Sequence, residues 1–162
     1  MKKFISLVVA SSVLAMAPLV QAATPVYTPS LPWSLDGIVA VNKGVALSCL
    51  VTLDIDSAGA TIVLAPNPAS PGGLNTLCPS VLPDHVPSSD IDYDATSKKL
   101  TLKNVFIQTV TAGDCQGDIV GTWDVATQTL SVAGSMPAAT AGAPCTMNGV
   151  LDLLSPTGGD IN

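Results

Sequence analysis

The chain has 162 residues, 48% of them hydrophobic, and a formal net charge of −6. Every acidic residue is aspartate and every basic residue is lysine, so glutamate and arginine, which commonly cover exposed helix faces, are absent. An acidic, arginine-free surface repels phosphate groups, which excludes nucleic acid as a partner and disfavours anionic lipid headgroups. The high apolar content indicates a folded chain, and its length favours one domain.

The first 22 residues have the layout of a secretory signal peptide. Lys2 and Lys3 form the positive start, residues 4–14 form an uncharged apolar run, and residues 20–22 fit the small-x-small cleavage pattern. We therefore expect cleavage before Ala23, which leaves four lysines against twelve aspartates and a net charge of −8. No later apolar run reaches the roughly 18 residues of a membrane span. The sequence thus predicts an exported protein without a transmembrane segment, located outside the cell, at its surface or in the periplasm.

Four widely spaced cysteines follow this segment, namely Cys49, Cys78, Cys115 and Cys145. An even number of cysteines in an exported chain predicts two disulfides, and the absence of a C-x-x-C pair argues against a metal site. Three pairings are open, of which we favour the sequential one, Cys49–Cys78 with Cys115–Cys145, because it closes two loops of nearly equal length. Each bond would stabilise the fold by about 3–4 kcal/mol.

The chain then divides into three segments. Residues 23–33 contain three prolines and are predicted to form an extended, mobile N-terminal segment. Residues 34–154 are predicted to form a single β-domain, which begins with an apolar run at 38–41 and a long strand within 45–56. Apolar and polar residues alternate in the second half of that strand, which indicates one buried face. Residues 155–162 are predicted to be a flexible tail.

A short motif recurs at Asp56, Asp94 and Asp124, each of which stands six positions before an aliphatic residue. We interpret the motif as three β-hairpin turns, each opened by an aspartate that accepts hydrogen bonds from its own turn backbone. Irregular, proline- or alanine-rich loops are predicted over 65–87 and 133–144. The pattern as a whole predicts an all-β fold, an antiparallel β-sandwich or barrel of roughly eight to ten strands stapled by disulfides.

Catalytic chemistry has little support in the sequence. The chain has one histidine, His85, which lies in a proline-rich loop, and its sequence neighbour Asp84 is badly placed to orient the ring. No G-x-S-x-G nucleophile elbow occurs. We therefore expect His85 to be an exposed loop residue, and we predict no catalytic residue, no cofactor and no enzymatic activity.

The densest acidic cluster is Asp90, Asp92 and Asp94, which spells the start of a calcium-binding loop. Ala95 replaces the glycine at position six of such a loop, and Thr101 replaces the bidentate glutamate at position twelve. The cluster is therefore a candidate calcium site, but a solvated strand edge, partly neutralised by the nearby Lys98 and Lys99, is the favoured interpretation.

Three segments in order resemble a known family. Residues 44–49 lead into the first long strand, residues 114–123 form a Cys-x-Gly strand that ends in an aromatic residue, and residues 145–151 close the domain. With the N-terminal signal, the chain resembles the alkane-oxidation activators (PraB-like), a family of small exported bacterial proteins. The resemblance implies extracellular assistance to growth on hydrocarbons, by emulsifying oil or adsorbing to it, and it provides no catalytic residues.

The expected function is that of a secreted, non-enzymatic surface protein whose partner is an apolar substrate or an oil–water interface. A first alternative is a structural subunit of an extracellular fibre or biofilm matrix, which would self-associate through its long strands. A second alternative is a carbohydrate- or calcium-binding module that uses Trp33, Trp123 and the aspartate cluster. A tryptophan in such a fold more often belongs to the core.

Overall fold

A computed structural model describes residues 23–162, so the predicted signal peptide lies outside the described residues. The strands in chain order are β1 (Tyr27–Thr28), β2 (Trp33–Asn42), β3 (Ala46–Ile55), β4 (Gly59–Pro66), β5 (Leu82–Pro83), β6 (Val86–Pro87), β7 (Ile91–Asp94), β8 (Lys99–Gln108), β9 (Cys115–Asp124), β10 (Thr129–Met136), β11 (Cys145–Ser155) and β12 (Asp160–Ile161). Two 3-10 helices, Gly73–Ser80 and Ser88–Asp90, lie between β4 and β7. The predicted all-β class is confirmed.

One antiparallel sheet contains ten of these strands, in the order β5-β8-β9-β10-β11-β2-β3-β4-β6, with β7 also paired to β8. The sheet curls into a half-barrel, and β1 and β12 form a separate two-stranded ribbon. Of the two architectures that the sequence left open, the structure therefore has the barrel-like one. Within residues 23–162, the strand order provides no second sheet large enough to make a sandwich.

The two sides of the curled sheet are joined by residues 82–87, here called the bridging segment. Its first strand, β5, pairs with β8, and its second, β6, pairs with β4. Backbone hydrogen bonds continue the contact on both sides, from Asp84 N to Phe106 O and from Ser88 N to Ala58 O, each 2.9 Å long. The sequence predicted an irregular loop here, and the structure shows that this loop spans the gap between β4 and β8.

The interior has two chemically different ends. At the first, which we call the aromatic end, Trp33 packs against Tyr27 and Trp123, with ring centroids 5.2 and 5.6 Å apart respectively. At the opposite, disulfide end, the predicted sequential pairing is confirmed, with bonds Cys49–Cys78 and Cys115–Cys145. Strand register sets this polarity, because β2 and β9 each present a tryptophan near the aromatic end and smaller, non-aromatic residues at their other inward positions.

All three predicted aspartate turns are confirmed. The carboxylate of each aspartate accepts backbone hydrogen bonds from the residues two and three positions later in the chain. These pairs are Ala58 and Gly59 for Asp56, Thr96 and Ser97 for Asp94, and Ala126 and Thr127 for Asp124. A local, side-chain-to-backbone motif therefore closes each hairpin.

The described ends of the chain differ from the loose segments that the sequence predicted. Ala23 and Tyr93 exchange two backbone hydrogen bonds, and Val26 does the same with Asn162. Ile161 is only 1% exposed and belongs to the core. The proposed mobile N-terminal segment and flexible tail are thus docked on each other and on the sheet, a long-range pairing that local composition does not encode.

Candidate functional site

The main candidate site is a cavity of about 70 Å³ on the inner side of the curled sheet. Its walls come from seven strands of the sheet and from the bridging segment. No lining residue carries a charged, amide or hydroxyl side chain. The lining residues are Val39, Val41, Val51, Leu53, Ile62, Leu64, Val81, Pro83, Leu100, Leu102, Ile107, Ile119, Gly121, Leu130, Val132, Met147 and Leu151.

The cavity follows from which side chains face inward. Strand β9 presents Gly117 and Gly121 on its inner side, between bulkier neighbours, so it contributes little volume to the interior. Leu130 occupies the space directly above Gly121, where an added Cβ would lie 2.7 Å from its Cδ1. The large aromatic rings are confined to the aromatic end, and aliphatic side chains alone do not fill the middle of the interior.

The bridging segment forms part of the cavity wall. Pro83, together with Val81 just before the segment, lines the cavity, whereas His85 is exposed on the outside. Within the described residues the one side-chain partner of His85 is Thr61, whose Oγ1 lies 3.3 Å from Nδ1. This pair lacks the carboxylate that would orient the ring for acid–base chemistry.

A buried lysine lies at the disulfide end, in the turn between β2 and β3. Lys43 is 7% exposed, and it is the only charged side chain buried within residues 23–162. Its Nζ donates hydrogen bonds to the backbone oxygens of Asp114 and Ala143 and to Cys115 Sγ, at 3.3 Å for the sulfur. Sequence reasoning missed this residue because these acceptors are 71 to 100 positions away.

The candidate calcium cluster is engaged in other contacts. Asp92 forms an ion pair with Lys103, and Asp94 accepts hydrogen bonds within its own turn. The hydrogen bond to Asp92 raises the pKa of Lys103, and Asp90 and Asp118 add to this effect. The main neutralising cation is therefore Lys103 rather than Lys98 or Lys99. Within residues 23–162, no group of three or more histidine, cysteine or acidic side chains has an arrangement that could hold a metal ion.

The two tryptophans considered as ligand platforms are core residues. Trp33 is 1% and Trp123 is 2% exposed, so neither presents a ring face to solvent. Trp33 Nε1 donates to Pro29 O at 2.9 Å, which fixes the proline-rich segment over the aromatic end. Both rings therefore stabilise the fold, in line with the core role that the sequence favoured.

The outer face of the sheet carries a row of four aliphatic side chains, of which Ile38 and Val150 are exposed and Leu50 and Ala65 are half-buried. Ile38 of β2 pairs with Leu50 of β3, which pairs with Ala65 of β4, and Val150 lies on the neighbouring strand β11. Ile38 is 40% and Val150 is 46% exposed. We call these four residues the outer row. From this row towards the disulfide end, no outward-facing position of β2, β3, β4, β10 or β11 carries a charge.

The chain also matches a known protein family. The model of the family described as alkane oxidation protein activator PraA/PraB-like matches residues 1–158. No curated protein and no solved structure matches the chain significantly. Within residues 23–162, no helix has the length and apolar character needed to cross a membrane.

Proposed function

Because the chain belongs to the alkane oxidation protein activator PraA/PraB-like family, we propose that it is an exported protein that adsorbs to oil and thereby assists the use of alkanes. In this proposal it catalyses no reaction itself. It acts by covering or dispersing the apolar phase, so that cells gain access to a substrate that barely dissolves in water.

The outer row is the observation that carries this proposal. Exposed aliphatic side chains on adjacent strands form a surface that gains free energy when it leaves water. The uncharged surroundings of the row matter equally, because no ionic group there has to be desolvated on contact with oil. The acidic side chains of the same strands, Asp36, Asp54 and Asp152, lie towards the aromatic end, so one part of the outer face can remain in water.

The two disulfides support the proposed export and the proposed stability of the protein at an oil–water interface. Both bonds are buried, with all four cysteines at most 2% exposed. Disulfides of this kind persist in oxidising compartments outside the cytoplasm. They also oppose unfolding at an interface, where a domain held only by its hydrophobic core tends to spread.

Drop tensiometry at a hexadecane–water interface tests this function. The protein is expressed with its own predicted signal peptide and purified in oxidised form. It is then compared with another exported β-domain of similar size and net charge. We expect a faster and deeper fall in interfacial tension for this protein. Equal behaviour of the two proteins would contradict the proposed adsorption.

A genetic experiment addresses the physiological part of the proposal. A strain that lacks the protein should grow more slowly on hexadecane and normally on a water-soluble carbon source. Purified protein added to the medium should restore growth on hexadecane, because the proposed action is extracellular. A growth defect on both carbon sources would contradict a specific role in alkane use.

A further inference from the structure

The buried Lys43 lies beside the second disulfide and lacks a counter-ion in the described part of the chain. Its Nζ lies 3.3 Å from Cys115 Sγ and forms no hydrogen bond with Cys145 Sγ. No carboxylate oxygen of residues 23–162 lies within 4.0 Å of this Nζ atom. A buried ammonium is costly unless it is paired with an anion, and the backbone oxygens and the disulfide sulfur around it carry no net charge.

Opening of this disulfide would provide the missing anion. A thiolate at Cys115 would accept a charge-assisted hydrogen bond from Lys43 Nζ, whereas the sulfur of the closed disulfide is only a weak acceptor. The opposing charge is the neighbouring Asp114, whose carboxylate accepts a hydrogen bond from Thr109 N at 2.9 Å. Every other charged side chain of residues 23–162 is at least partly exposed. Lys43 therefore stabilises the thiolate form of Cys115 in the opened bond.

The other sulfur of the bond belongs to a residue that lines a small pocket near the molecular surface. Cys145 contributes to the wall of this pocket, which has a volume of about 20 Å³, and Cys115 does not. Val110 lines the same pocket and is 42% exposed. A thiol that enters from this side therefore meets Cys145 before Cys115.

The segment that precedes Cys145 is suited to local opening. Residues 139–144 are all exposed. Within residues 23–162, three hydrogen bonds of 3.2 Å connect this segment to the rest of the disulfide end, namely Ala139 N to Asp114 O, Thr140 N to Gly113 O and Lys43 Nζ to Ala143 O. The pocket has room for little more than a water molecule, so a larger thiol reaches Cys145 when this segment moves aside. Segments with few buried contacts open at low free energy.

We propose that Cys145 is a site of reversible modification by a small thiol, with Lys43 as the positioning residue that stabilises the Cys115 thiolate. The attacking thiolate forms a new S–S bond with Cys145 Sγ, the Cys115–Cys145 bond breaks, and its electron pair goes to Cys115 Sγ. A second thiolate attacks the added sulfur and releases the external disulfide, and Cys145 takes a proton from water. The small thiol is the reductant, and the opened bond no longer links the start of β9 to the start of β11.

The first disulfide is an internal control. Cys49–Cys78 closes a loop with a sequence separation of 29 residues against 30 for the second bond, and all four cysteines are at most 2% exposed. The two bonds differ in the buried cation, because Lys43 is the only charged side chain buried within residues 23–162 and it contacts Cys115. We therefore expect the same thiol to act on the two bonds to different extents.

Equilibration of the oxidised wild-type protein with glutathione redox buffers at pH 7 tests the inference. Mass mapping after acid quenching and alkylation follows both bonds in one sample. We expect the equilibrium constant for reduction of Cys115–Cys145 to be at least about tenfold larger than that of Cys49–Cys78, as one hydrogen bond to a charged group implies. At short times glutathione should be attached to Cys145. Equal constants, preferred reduction of Cys49–Cys78, or glutathione attached to Cys115 would overturn the inference.

A pair of variants assigns the effect to Lys43. Lys43→Met should lower the equilibrium constant for reduction of Cys115–Cys145 by about tenfold, because the thiolate loses its charged partner. Lys99→Met, at an exposed lysine, should leave the constant unchanged. An unchanged constant in Lys43→Met would refute the role of Lys43. If Lys43→Met does not fold, the mapping of both bonds in the wild-type protein still decides.

Two single-cysteine variants measure the thiolate directly. Cys145→Ala leaves Cys115 as a free thiol, Cys115→Ala leaves Cys145, and the first disulfide stays closed in both. A pH titration of the ultraviolet absorbance of the thiolate should show that Cys115 loses its proton at a lower pH than Cys145 does. Loss of the proton at the same pH in both variants, or at a lower pH from Cys145, would contradict the proposed stabilisation.

Discussion

At the scale of single residues, aspartate side chains stabilise the hairpin turns of this protein. Asp94 accepts hydrogen bonds from the Ser97 hydroxyl and from the backbone N–H groups of Thr96 and Ser97. The Ser97 hydroxyl contributes most to holding the pKa of the Asp94 carboxyl below its ordinary value, followed by the Thr96 N–H group. Asp124 has a lowered pKa for the same kind of reason, with the Ala126 N–H group as the largest cause.

These lowered pKa values predict a loss of stability in acid. A carboxyl whose pKa is lower in the folded state stabilises the fold above its unfolded pKa, about 3.9 for aspartate, and this contribution disappears as pH falls through the folded pKa. Asp94→Asn should therefore lower the melting temperature at pH 7 but not at the acidic end of a pH series. Asp152→Asn, at a carboxylate without a hydrogen bond in the described structure, is the control. Equal pH profiles for Asp94→Asn and the wild type would contradict the assignment.

Residue-level sequence reasoning succeeded where the interaction is local. The aspartate turns were predicted because donor and acceptor lie two or three positions apart, and the hairpin pattern identifies them. Lys43 was not identified, because its burial depends on loops around Asp114 and Ala143 that reach it only in the folded chain. A position in the core was the favoured prediction for Trp33, but the sequence does not reveal which residues pack against it.

At the scale of elements, the bridging segment determines how the curled sheet is closed. It pairs with β4 and β8, which lie at the two sides of the sheet. Another chain could add a strand to the sheet only along the free edge of one of these two strands. This pairing covers part of each edge, since it engages Gly59 and Ala60 of β4 and Ile107 and Gln108 of β8. This closure is not predictable from the sequence, because a proline-rich stretch around Pro83 and Pro87 indicates only an irregular connection.

Glycine substitution tests this closure. Gly59 has a φ of +150°, and a Cβ at this position would lie 1.9 Å from Val86 O in the bridging segment. Gly59→Ala should therefore displace the segment from β4 and cost about 2 kcal/mol or more in free energy of unfolding. Gly72→Ala is the matched control, because nothing lies within 4 Å of the added Cβ. Denaturant unfolding that shows the same stability for both variants would contradict the role of the segment.

The two disulfides allow a second test at this scale. They close loops with sequence separations of 29 and 30 residues, so the chain-entropy model assigns them nearly equal contributions. Replacing either pair by alanine should lower the free energy of unfolding by about 3–4 kcal/mol. Equilibrium denaturation measures both values. A difference of several kcal/mol between the pairs would show that the contacts around one bond, rather than loop closure, dominate.

At the scale of the whole molecule, the curled sheet separates two apolar regions, the outer row and the internal cavity. The sequence predicted the all-β class and the disulfide pairing, because the alternation of apolar and polar residues and the spacing of the cysteines can be read directly from it. It did not predict either region. The outer row joins Ile38, Leu50, Ala65 and Val150 from four strands, and the cavity depends on how the inward-facing side chains of seven strands fit together.

The measurement that tests the central claim most directly is drop tensiometry at hexadecane on two double variants with the same change in charge. Ile38→Lys with Val150→Lys places two cations in the outer row, whereas Leu74→Lys with Val125→Lys places two at exposed apolar positions elsewhere. The outer-row variant should lower interfacial tension more slowly and less deeply than the wild type, and the control variant should match the wild type. If the two variants behave alike, the outer row is not the adsorbing surface.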